Sequence, residues 1–228
     1  MPIEMPTEQA SLGEPAAAAA VFGEHFARLN RYVQWLAGAG IERGLIGPRE
    51  RPRLWDRHVI NCAAVSGLIP VERLVVDVGS GAGLPGIVLA VMRPDLHLVL
   101  VDATARRTTF LHEVVDDLEL ADRVRVVTGR LEDDEVRAQL GRSEVVTARA
   151  VAPLGRLAGW CLPLLRSGGT VLAIKGQSAA AEVQAARPQL RRMGAVVADI
   201  HQLPFGGQST VVVELRHDVS RETRRRRA

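Results

Sequence analysis

At residues 74–78 an apolar, largely β-branched run, Leu-Val-Val-Asp-Val, breaks at once into Gly79, Gly81 and Gly83, and apolar residues at helical spacing follow at Ile87, Val88 and Val91. That order reads as a strand, a tight turn and a helix. The glycines permit positive φ and let backbone approach a ligand closely. The loop leads into a helix N-terminus, where free N–H groups favour an anion. Such a unit is expected to hold a nucleoside-bearing cofactor; the competing reading is a glycine-rich turn with no ligand.

The same alternation runs through most of the chain. Strands are expected at 73–78, 97–102, 123–128, 144–149 and 169–175, with helices at 85–93, 104–119, 132–141, 154–165 and 179–192. Alternating βα units argue for a parallel sheet with helices on both faces. Two final strands, 196–203 and 209–216, joined by a turn at Gly206-Gly207, argue for an antiparallel C-terminal edge. Ahead of the sheet, residues 15–39 read as a helix with Val21, Phe22, Phe26, Leu29, Val33 and Leu36 on one face, and 53–67 as a second helix. The division this implies is a disordered stretch 1–14, one domain over 15–217, and a basic tail 218–228. Within the domain, 15–70 form a helical extension and 71–217 the cofactor-binding core.

A doubly wound sheet binds its ligand at the carboxyl ends of its strands. That rule selects Asp77 and Gly79, Asp102, Leu131 and Glu132, Thr147 and Arg149, and Lys175. The dinucleotide fingerprint G-x-G-x-x-G fails when counted from Gly79, because position 84 is leucine, and counted from Gly81 it encloses Pro85. The better reading is acid-x-G-x-G-x-G, which resembles motif I of class I S-adenosylmethionine (SAM) methyltransferases. SAM carries no phosphate but a carboxylate and an ammonium, so an acid beside the loop makes sense where a pyrophosphate would be repelled. Asp77, Gly79, Gly81, Gly83 and Leu84 are then cofactor-contact candidates. Asp102, one βα unit later, suits a ribose diol, and capping of the next helix is compatible with that role.

Bulk properties narrow the partners. No apolar run of about 18 residues exists to span a membrane. The first basic residue is Arg28, so a positively charged secretory start is missing. Cys62 and Cys161 lack C-x-x-C spacing and read as buried thiols of a cytoplasmic protein. No metal-ligand cluster is visible. The isoelectric point is near 9.5, and arginines gather at 49–57 and 221–227. Such clusters suit phosphate backbones, and solvated helix faces are the bland alternative. Lys175 is the only lysine among many arginines, which marks a place where the planar fork of arginine does not fit, or chance retention.

The loop Asp77–Ile87, with Leu54-Trp-Asp-Arg-His58, Gly129-Arg-Leu-Glu-Asp133, Thr147-Ala-Arg-Ala150 and Lys175-Gly-Gln177, resembles the 16S rRNA guanine-N7 methyltransferases, the RsmG/GidB family. The likeness runs from about residue 20 to 216. It implies an α/β, Rossmann-like class I SAM-methyltransferase fold and SAM contacts at Gly79, Leu84, Leu131, Glu132 and Arg149. The implied substrate is 16S rRNA or a small-subunit particle, methylated by a 16S rRNA (guanine(527)-N(7))-methyltransferase activity. The family pattern carries an arginine in the last strand after the turn; here that stretch reads Gly207-Gln-Ser-Thr-Val.

Arg53, Arg57 and Lys175 are candidates to meet RNA, and Arg149, Lys175 and His58 are candidates to position the reactants. Asp56, Arg57 and His58 follow one another on a helix and point apart, so they are not expected to cluster. No acid–base dyad is evident. Guanine N7 has a free lone pair, so its methylation removes no proton and needs none. Two other readings stay open: a SAM enzyme acting on a small molecule, and a nucleotide- or RNA-binding protein without catalysis. A nicotinamide oxidoreductase is disfavoured, since the only tyrosine, Tyr32, lies in the first helix and forms no Tyr-x-x-x-Lys.

Overall fold

A computed structural model describes residues 15–149 and 151–217. The expectations for residues 1–14 and for the tail 218–228 lie outside the described residues. The chain opens with α1 (Pro15–Phe22) and α2 (Phe26–Trp35), separated by a 3-10 turn at Gly23–His25 and followed by a wide π turn at Leu36–Gly40. A 3-10 segment (Pro48–Arg53), a π turn (Leu54–Val59), α3 (Ile60–Ala63) and another 3-10 turn (Ala64–Leu68) lead to the sheet. Then come β1 (Leu74–Val78), α4 (Gly86–Met92), β2 (His97–Asp102), α5 (Ala105–Asp117), β3 (Val124–Thr128), α6 (Asp134–Leu140) and β4 (Ser143–Arg149). The rest is α7 (Leu154–Cys161), β5 (Leu165–Lys175), α8 (Ala179–Arg192), β6 (Ala195–Phe205) and β7 (Gln208–His217).

The strands form one sheet in the order β3-β2-β1-β4-β5-β7-β6. The pairs among β1 to β5 are parallel, and β7 runs antiparallel to both β5 and β6. The period of two along each strand divides the core into two layers. Val75, Leu98, Leu100 and Val145 face the N-terminal helices, α4 and α5, while Val76, Val99, Val101 and Val146 face α6, α7 and α8. α4 is apolar all round and buried from Gly86 to Val91, because it lies between the sheet and the N-terminal helices.

Three expected helices differ. The one expected over 15–39 is broken at Gly23, which takes a φ of +52°, into α1 and α2, and it widens into the π turn at Leu36–Gly40. The helix expected over 154–165 stops at Cys161, where Pro163 cannot continue the hydrogen-bond ladder, and β5 starts correspondingly early at Leu165. The helix expected over 53–67 is a chain of 3-10, π and α turns. Side chains compete there for a backbone acceptor: Asn61 Nδ2 donates to the Arg57 carbonyl at 2.7 Å and Arg149 Nη1 approaches it at 3.4 Å. Val21, expected on the apolar face of the first helix, is exposed.

Candidate functional site

The strand order reverses between β1 and β4, and a doubly wound sheet opens its crevice at such a switch. Gly79 leaves β1 on one side of it and Arg149 ends β4 on the other.

Asp77 stands fully buried at the base of this crevice. Its Oδ1 accepts from Thr147 Oγ1 at 2.9 Å, and its Oδ2 accepts from Ser80 Oγ at 2.7 Å and the Gly86 N–H at 3.1 Å. The anion expected at the helix N-terminus is therefore Asp77 itself, on the first residue of α4. Desolvation raises its pKa to about 6, against the lowering effect of those hydrogen bonds. Asp77 lines neither cavity described below, and its hydrogen bonds brace the loop.

The three loop glycines have different work. Gly79, at φ +65°, lines the crevice, and a Cβ there would lie 2.9 Å from Val151. Gly83, at φ +98°, is packed from within: a Cβ would meet Ile87 at 2.5 Å and the Tyr32 hydroxyl at 3.0 Å. The Gly81 N–H donates to Asp102 Oδ2 at 3.1 Å. Leu84 is buried in the core. Of the loop residues expected to touch cofactor, only Gly79 reaches the cavity wall; Gly81, Gly83 and Leu84 shape the loop behind it. Tyr32, missed as a functional residue, is fully buried and donates to the Ala82 carbonyl at 2.8 Å, tying α2 to the loop. A lone tyrosine on the buried face of an amphipathic helix was the available signal, since a buried hydroxyl needs a partner.

A first cavity of about 400 Å³ lies over the ends of β1, β2 and β3. Gly79, Asp102, Leu131, Glu132 and Arg149 all line it, joined by Trp160. Asp102 accepts from the Thr104 N–H at 2.9 Å and from Arg107 Nη1 at 3.2 Å, besides Gly81. A carboxylate has about four acceptor sites, so one stays free for a diol. Glu132 accepts from Trp160 Nε1 at 2.9 Å, and the Arg156 guanidinium lies over the Trp160 ring at 4.8 Å. Asp102 and Glu132, set among the apolar side chains of Leu131, Val151 and Trp160, fit an adenosine-like group.

A second cavity of about 770 Å³ lies over β4 and β5. Arg57, His58, Arg149 and Lys175 line it with Glu50, Asn61 and Glu182. Arg149 thus belongs to both cavities. Lys175 is nearly buried, donating to Glu182 Oε2 at 2.8 Å and to the Ala152 carbonyl at 2.9 Å. Arg53 is exposed and lines neither cavity.

Arg57 and His58 do cluster, contrary to the helical-wheel expectation. Glu50, arriving from the preceding 3-10 segment, accepts from Arg57 Nη1 at 3.1 Å and bonds His58 Nε2 at 2.9 Å. The meeting point is outside the helix, so side-chain direction along the helix did not govern it. The carboxylate–imidazole pair absent from the sequence reading is therefore present. Its free end is occupied: Arg149 Nη2 lies 2.5 Å from His58 Nδ1. Desolvation and the Arg149 charge lower the His58 pKa from 6.5, outweighing the hydrogen bond to Glu50. Cys62 is buried, and desolvation pushes its thiol up to about 11; Cys161 is buried and raised further. Both stay protonated and unreactive.

Comparison with known proteins agrees with this geometry. The family model described as rRNA small subunit methyltransferase G (GidB) matches residues 25–210. A protein named ribosomal RNA small subunit methyltransferase G from Thermobifida fusca is 52% identical over 209 residues, 91% of this chain and 86% of its own. One of the same name from Rhodococcus jostii is 50% identical over 220 residues, 96% of each chain. Among solved structures, the mitomycin 7-O-methyltransferase MmcR matches with a TM-score of 0.57 and 15% identity, over 92% of this chain and 74% of its own. Cofactor-bound Rv0187 from MTB matches with a TM-score of 0.55 and 18% identity, over 84% and 90%. These two likenesses speak for the fold, and the sequence relatives for more: this chain belongs to the rRNA small subunit methyltransferase G family.

Proposed function

We propose that this protein uses SAM to methylate N7 of a guanine in 16S rRNA, the (guanine(527)-N(7)) activity, acting in the cytoplasm on the RNA or a small-subunit particle. The observation that carries this reading is the pair of cavities meeting at Arg149, the larger of which holds an imidazole whose one lone pair is already engaged. Bound SAM supplies an electrophilic methyl group. Gly79, Asp102, Leu131 and Glu132 would hold its nucleoside end, with Asp102 accepting from the ribose. Arg149 would orient both reactants from the shared wall, and Arg57 would meet RNA phosphate at the outer rim. Arg53, on the exposed turn beside it, would add to the same field. Lys175 holds the segment after β4 in place through the Ala152 carbonyl, so its contribution to RNA would be through position. An attack by N7 loses no proton, so alignment at near-attack distance suffices. The charged wall of the larger cavity favours RNA over a small apolar acceptor.

The test is methylation of naked 16S RNA and of 30S particles with labelled SAM, followed by mass mapping of the nucleotide. The expected product carries a fixed positive ring charge and suffers strand scission after reduction and aniline treatment. The rate at saturating SAM should be flat between about pH 7 and 8, because no base must be deprotonated. A methyl on N1, N2 or a ribose hydroxyl overturns the regiochemistry. Absence of label from RNA overturns the substrate and returns the small-molecule reading.

A further inference from the structure

His58 sits between two unlike partners, and their chemistry fixes its protonation. A guanidinium has only donors, so the His58 nitrogen facing Arg149 must be the acceptor. The proton then resides on Nε2, where the Glu50 carboxylate accepts it at 2.9 Å. The imidazole side chain is only 11% exposed, so solvent offers little competition for either bond. Arg149 in turn stands at the wall common to both cavities. We propose that His58 is a positioning residue: its neutral imidazole, protonated on Nε2 by agreement with Glu50, fixes the Arg149 guanidinium between the cofactor and the substrate. The assignment deepens the proposed methyl transfer and rests on it for the activity readout alone.

A second proton on His58 would go to Nδ1 and set one N–H against another. Arg149 Nη2 would lose its acceptor, and the guanidinium would gain a like charge at the same distance. The charges facing the imidazole are Glu50 from the 3-10 segment, Arg57 on its own turn and Arg149 from β4; Lys175 and Glu182 line the same cavity from β5 and α8. Two of the three nearest are cations, and desolvation acts the same way, which agrees with a titration below 6.5. The Leu54-Trp-Asp-Arg-His58 segment thereby acquires a role as the support for Arg149.

The test has two parts. Imidazole ¹⁵N shifts of the protein without cofactor should show His58 protonated on Nε2 alone at neutral pH, and charged only below 6.5. Glu50→Gln should move that titration down, and Arg149→Gln should move it up. A proton on Nδ1 at neutral pH, or a titration unmoved by both changes, overturns the proposal. In methyl transfer, an asparagine oxygen can stand near Nδ1, whereas a glutamine reaches toward Glu50. His58→Asn should therefore exceed His58→Gln by about tenfold in turnover above pH 7, the worth of one charged hydrogen bond, and should show no acid limb. Equal losses in two folded variants overturn the proposal. Failure of the wild type to methylate RNA at all would leave the imidazole result intact and count against the substrate reading.

Discussion

Lys175 makes two bonds in a space that is 7% exposed, one to a carboxylate and one to the carbonyl of Ala152. A compact ammonium can point at both; a broad planar guanidinium cannot without moving Glu182 or the segment after β4. Lys175→Arg is expected to lower turnover by about tenfold with SAM affinity little changed, read from steady-state kinetics beside calorimetry. Asp77 has the opposite character, because its carboxyl is raised to about 6 mainly by burial. A raised folded pKa contributes stability fully present below the ordinary 3.8 and lost as pH rises through about 6. Asp77→Asn keeps an acceptor for the Gly86 N–H, and the Ser80 and Thr147 hydroxyls can rotate to suit the amide. Wild-type stability relative to Asp77→Asn should therefore fall by on the order of 3 kcal/mol between pH 4 and 7, measured by denaturant titration. The residue-level reading had placed Asp77 correctly on its strand. What it could not show was that all of its bonds turn inward, since those partners lie at residues 80, 86 and 147.

Among the elements, β2 carries the clearest expectation. Its last residue, Asp102, holds the Gly81 N–H, the Thr104 N–H and Arg107, and still lines the smaller cavity. Asp102→Ala is expected to weaken SAM binding by about 1.5–3 kcal/mol, the range for a hydrogen bond to a charged group. Unchanged affinity by calorimetry in a folded variant would remove the ribose role. The strands were legible because apolar β-branched runs ending at acids and glycines have few other solutions. The segment 48–68 was not, because its winding is set by Asn61 and Arg149 reaching the Arg57 carbonyl, one of them from β4. Glu50 was invisible for a related reason: it lies between Pro48 and Pro52, where no periodicity marks a side chain for the site.

For the whole molecule, charge is the property that sequence alone states well. An isoelectric point near 9.5 and the arginine clusters at 49–57 and 221–227 predict a salt-sensitive attraction to RNA. Deleting residues 218–228 is expected to leave SAM affinity intact and to flatten the dependence of RNA binding on salt, as fewer counterions are released. An unchanged salt slope in a filter-binding series would exclude the tail as a phosphate contact. The convergence of the site was legible only in outline. Strand ends gave its rim, but the division into two cavities at Arg149 depends on helices that arrive from the other end of the chain.

The bond from Thr147 to Asp77 spans 70 residues. β1 lies opposite β4 in the finished sheet, with these two residues in register. A chain leaving the ribosome therefore presents its glycine loop long before the strand that completes it has been made. Until β4 arrives, Asp77 lacks one donor, β1 lacks a neighbour, and the loop lacks the Val151 side chain that packs on Gly79. Capacity to hold a cofactor is thus a late acquisition in the life of each molecule, and a nascent fragment ending before β4 has no completed loop with which to sequester it.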